Sequence, residues 1–135
     1  MKRVAWAVLM GIVLITGSAF AEDYAFDFGE EVKKGDQRAG FTNRVLVKTP
    51  AFTVGAIAVK DEIKAHRHGD GHHVIYIVSG RGTMMHGDKT LALKAGMIVH
   101  VPRGVAHRVK AEGGEMTLID FAQPPFDPKK MDWIK

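Results

Sequence analysis

Apolar residues recur at alternate positions through most of the chain, in short runs cut by glycine and proline. Side chains on an extended strand point alternately to opposite faces, so each such run reads as a strand with at least one buried face. Tyr24, Phe26 and Phe28 alternate in this way and predict a short strand over 23–28 that covers an edge of the main sheet. Residues 30–43 are polar, contain glycine and keep no period, which predicts a loop. Arg44 to Lys48 is the next strand, closed by Thr49-Pro50. Phe52, Val54, Ala56 and Ala58 alternate with Thr53, Gly55, Ile57 and Val59, a run apolar on both sides that belongs in a sheet interior. Val74 to Val78 is β-branched, short and bounded by glycine. Thr83–His86 and Thr90–Leu93 face each other across Gly87-Asp88-Lys89, a tight hairpin signal. Gly96 to Val101 is one more strand, ended by Pro102-Arg103-Gly104, and His107–Ala111 with Glu115–Phe121 predicts a last hairpin about Gly113-Gly114.

Roughly eight to ten short strands at spacings of about 8 to 12 residues, with no long helical period, define an all-β sandwich or small barrel. The two ends differ from this body. Lys2 and Arg3 precede an apolar run from Val4 to Ile15, and Ala19-Phe20-Ala21 has the small-x-small form of a signal-peptidase site. Residues 1–21 therefore read as a signal peptide cleaved after Ala21, with a retained membrane anchor as the alternative, and the mature chain as periplasmic or secreted. At the other end Asp127-Pro128 offers a helix cap and a first-turn proline, so 129–135 is expected to form a helical turn or two. The expected organisation is a signal peptide at 1–21, an N-terminal extension at 22–43, one barrel at 44–121 and a tail at 122–135.

Charge excludes more than it assigns. Without Lys2 and Arg3, the remaining 17 basic residues exceed the 15 acidic ones by two. They are scattered along the chain, whereas a nucleic-acid groove clusters them. No nucleic-acid partner is expected, nor a membrane partner after cleavage. There is no cysteine, so there are no disulfides and any metal must be held by nitrogen and oxygen.

The candidate chemistry lies in histidine. Four of the seven histidines fall in Ala65-His66-Arg67-His68-Gly69-Asp70-Gly71-His72-His73. His66 and His68 share a face of an extended strand, and His107 opens a later strand after a Pro/Gly turn, so a barrel can aim three separate pieces of chain at one interior point.

At these residues the chain resembles the cupin family. The first family motif runs H-x-H, three or four residues, Glu, six residues, Gly; here it is His66-x-His68, four residues, His73, six residues, Gly80. The second runs G, five residues, P-x-G, two residues, H, three residues, N; here it is Gly96, five residues, Pro102-Arg103-Gly104, two residues, His107, three residues, Ala111. The resemblance covers about residues 44–121 and implies a single-domain double-stranded β-helix, a jelly-roll-like barrel. It implies a mononuclear divalent transition metal on His66, His68, His73 and His107. Fe, Cu, Ni, Zn and Mn all remain open, because nitrogen donors suit most of them. A register slip of one residue substitutes His72 for His73.

His73 stands where the family usually carries its carboxylate ligand. Four neutral imidazoles leave an ion with more positive charge, which favours anionic ligands at its open positions. Tyr76, Met84, Met85 and Phe121 are the candidate lining of the pocket. Arg67 and Arg108 alternate with the ligands and face away, so no arginine is placed toward the site. The resemblance implies a metal-dependent enzyme acting on a small oxygenated or carboxylate-bearing molecule, possible as an oxidoreductase, isomerase or lyase; the alternative is a non-catalytic metal- or ligand-binding protein. It also implies a homodimer, with Tyr24–Phe28 as the candidate contact.

Overall fold

The computed structural model describes residues 24–135. The leader read from residues 1–21 lies outside the described residues. At the amino end the expected strand is absent. Asp27 instead caps one helical turn, α1 (Phe28–Glu31), its carboxylate accepting from the Glu30 N–H at 3.0 Å. An aspartate in that position satisfies a helix donor that a strand would leave to a partner. A 3-10 turn (Val32–Lys34) follows, and Phe28 and Val32 pack on Ala56 and Ala58.

The remaining elements are strands: β1 (Asp36–Gln37), β2 (Phe41–Lys48), β3 (Thr53–Val59), β4 (Glu62–His68), β5 (His72–Ser79), β6 (Arg81–His86), β7 (Lys89–Lys94), β8 (Ile98–Val101), β9 (His107–Ala111), β10 (Met116–Gln123) and β11 (Met131–Trp133). β1 and the start of β2 occupy ground expected to be loop. The strands form two sheets, ordered β1-β2-β3-β10-β5-β8 and β11-β4-β9-β6-β7, with antiparallel neighbours throughout. This is a double-stranded β-helix.

The hairpin at Gly87-Asp88 forms as expected, pairing β6 with β7. The one expected about Gly113-Gly114 does not. β9 pairs with β4 and β6, whereas β10 crosses to the other sheet and pairs with β3 and β5. Both strands are apolar enough to be central, and a central strand takes long-range neighbours on each side in place of its neighbour in sequence. The tail also departs from expectation. Asp127 caps a single 3-10 turn (Pro128–Lys130), and the chain then pairs along the free edge of β4 as β11.

Inward side chains of both sheets, among them Ile77, Met84, Val109, Met116 and Leu118, are fully buried and form the core, with Val109 and Leu118 at its border with the cavity. The cavity belongs to the site. Gly80, which ends the first motif, turns the chain from β5 to β6 at φ +78°, and a Cβ there would lie 2.6 Å from the Glu115 carbonyl oxygen. Gly80→Ala should therefore cost about 1 to 3 kcal/mol through left-handed strain and a displaced carbonyl. Urea denaturation checks this; an unchanged midpoint would show that the turn tolerates a side chain.

Candidate metal centre

β4 and β9 lie side by side with His66 opposite His107. Alternation along β4 brings His68 to the same inward face, and all three imidazoles are buried. One donor atom from each of His66, His68 and His107 lies within 4.8 Å of the others. Two of the rings are held by backbone carbonyls two residues earlier in the chain. His66 Nδ1–H donates to the Lys64 carbonyl at 2.7 Å and His107 Nδ1–H to the Val105 carbonyl at 3.0 Å, which leaves each Nε2 with the lone pair. This is the tautomer that ligates a metal through Nε2.

His73 reaches the same volume from β5 in the facing sheet. Its ring stacks on His68, centroids 3.8 Å apart, but its donor atoms lie outside the three-residue group. Its Nδ1–H points at both carboxylate oxygens of Asp120 on β10, each at 2.9 Å. Asp120 is opposite Ile75 in the β10–β5 register, one diagonal step from His73. His72 faces the other way and is exposed.

Four imidazoles and a carboxylate thus converge from four strands of the antiparallel double sheet, β4, β5, β9 and β10. The profile described as the cupin domain covers residues 54–121, half of the chain. The chain belongs to the cupin family. Solved structures of the same fold are similar at low identity. An uncharacterised conserved protein with a double-stranded β-helix domain from Klebsiella pneumoniae superposes at TM-score 0.72 with 20% identity, over 84% of this chain and 98% of its own. A variant of Streptomyces PAC13 with uridine gives 0.70 and 17%, over 84% and 92%; Pac13 is described as a nucleoside dehydratase. KdgF from Halomonas sp. gives 0.65 and 19%, over 70% and 87%. No curated protein matches by sequence.

In this cupin the histidines sit in a cavity of about 800 Å³. Its wall corrects the expected lining. Tyr76 and Phe121 follow inward residues, Ile75 and Asp120, and so project from the outer face, Tyr76 exposed and Phe121 against Phe52 at 5.2 Å. Met85 lies on the outer face of its sheet for the same reason, and Met84 is inward but in the packed core. The aromatic wall comes from the tail: Phe126 stands edge-on to His68 at 5.7 Å, and Trp133 lies 5.3 Å from His66. The amino-terminal segment and β2 add Lys34, Arg38, Arg44 and Lys48, against the acidic Asp36 and Asp120. Glu31 holds Lys34 and Arg44, each at 2.6 Å, whereas Arg38 and Lys48 have no ion-pair partner among the described residues. Arginine thus does line the site, contrary to expectation. Asp120 carried one signal in the sequence, a lone acid within the apolar run Thr117–Phe121; Phe126, Trp133 and Arg38 lie where no period marks them.

Burial disfavours the charged imidazole, and mutual repulsion adds to it. Burial lowers His66 below its usual value, pushes His107 to about 4 and, with the adjacent His73 and His66, His68 to about 2. Above the unfolded value of 6.5 all three are neutral in both states and cost nothing. As pH falls through 6.5 the unfolded chain takes up protons that the folded site refuses, so stability is lost progressively toward the folded values. The melting temperature of metal-free protein should be level from pH 7.5 to about pH 6.5 and then fall toward pH 4.5, less steeply in His68→Leu. Equal slopes for the two proteins would mean that His68 is not held neutral.

Proposed function

We propose that this cupin is an exported metal-dependent enzyme that acts on a small, oxygenated, anionic molecule held in the cavity. The observation that carries this reading is the convergence of His66, His68 and His107 beside the His73–Asp120 pair. A divalent ion held there supplies Lewis-acid polarisation of a substrate oxygen or, if redox-active, activation of O₂. His73 is the fourth ligand in this account, with Asp120 fixing its tautomer so that Nε2 faces the cavity. Asp120 also returns a negative charge to a site whose ligands carry none. Arg38 and Lys48 supply the attraction for an anion, and Phe126 and Trp133 exclude water from one side of it.

A non-catalytic binding role was the alternative because no acid or base stood beside the ligands in the sequence. Asp120 is such a group, lining the cavity and hydrogen-bonded to His73, and it favours catalysis. Pac13 is a nucleoside dehydratase on the same fold, which makes loss of water from a hydroxylated substrate the first reaction to test. The export half of the proposal rests on Lys2, Arg3, the apolar run and Ala19-Phe20-Ala21.

Protein recovered from the periplasm should begin at Glu22 and carry about one equivalent of transition metal, lost in His66→Ala and in His107→Ala. Screened against hydroxy- and keto-carboxylates, it should show turnover that a chelator abolishes and one metal restores. Turnover indifferent to chelation, or metal content unchanged in both variants, would contradict the proposal.

A further inference from the structure

β5 also places a histidine on the face away from the cavity. His72 Nδ1 lies 3.1 Å from Nε2 of His100 on β8, with the two rings 17° from parallel and centroids 5.3 Å apart. Both side chains are exposed. Their strands are paired, with Val74 opposite His100, so the backbone fixes the spacing of the two rings. His86 donates its Nε2–H to the His100 carbonyl at 2.9 Å and holds the same strand from the other sheet. The remaining ring nitrogens, His72 Nε2 and His100 Nδ1, have no hydrogen-bond partner among the described residues. Neither imidazole is therefore committed elsewhere.

Two nitrogens bound to one ion at about 2.0 to 2.1 Å, with an angle between tetrahedral and square, stand about 2.8 to 3.4 Å apart. The His72–His100 spacing falls in that interval. In the hydrogen bond one of these nitrogens carries the proton; an ion binds both once that proton moves to the donor ring's other nitrogen and the exposed rings turn so that the two lone pairs converge, and it takes water at its other positions. We propose that His72 and His100 form a second, surface metal site, a two-imidazole chelate for late first-row divalent ions, with Cu²⁺ bound most tightly by the general stability order. Because His72 and His73 point to opposite faces of β5, this site is separate from the central one and does not depend on the enzymatic reading.

Untagged full-length protein, dialysed against Cu²⁺ and counted by elemental analysis, tests it. Wild type should bind one equivalent more than His72→Gln or His100→Gln, whereas His86→Gln should match wild type. These positions are exposed, and circular dichroism with a thermal melt confirms folding of each variant. His66→Ala should lose the central equivalent and keep the surface one, so failure of the central site and failure of the surface site give different counts. Equal copper content in wild type, His72→Gln and His100→Gln would overturn the proposal and leave the pair as an imidazole–imidazole hydrogen bond.

Discussion

Hydrogen bonds at Nδ1 decide what the cavity can do. His66 and His107 each donate to the carbonyl two residues earlier in the chain, and His73 donates to Asp120. A backbone carbonyl cannot donate, so the proton stays on Nδ1 and the lone pair stays on Nε2, inside the barrel. Burial then keeps His66, His68 and His107 neutral, because the charged form has lost its water. Buried lone pairs without a donor are costly, and an ion satisfies them together. The apolar core lies against one side of this arrangement and the tail aromatics Phe126 and Trp133 against another.

Charge balance is the second consequence. A histidine in the position of the usual cupin carboxylate leaves the four converging imidazoles uncharged, yet a carboxylate still lines the site. It stands one bond further out, as Asp120 on β10, and acts through the His73 imidazole. Hydrogen bonding of this kind raises ligand basicity and holds ring orientation. On the proposed reading, Arg38 and Lys48 in the same lining attract an anion from solvent.

Alternation made much of this fold legible. β3, β5, β8 and the β6–β7 hairpin follow directly from period-two runs and their glycine boundaries. Local competition hid the amino end, where the Asp27 cap overrode the aromatic alternation of Tyr24 to Phe28. Partner choice hid the β9–β10 crossover, since two central strands look alike whether they pair with each other or with distant strands. The histidine motif was legible because residues two apart share a face. Asp120 was not, because its partner His73 is 47 residues away in sequence and only the β10–β5 register joins them. The lining assigned to Tyr76, Met85 and Phe121 failed by one residue of strand phase, and that assigned to Met84 by depth.

Anomalous diffraction from crystals of metal-replete protein tests the central claim most directly. The account predicts one strong interior peak about 2.0 to 2.2 Å from Nε2 of His66, His68 and His107, with Nδ1 of His73 still on Asp120. No interior peak under full metal supply, or a peak bound away from these three imidazoles, would contradict it.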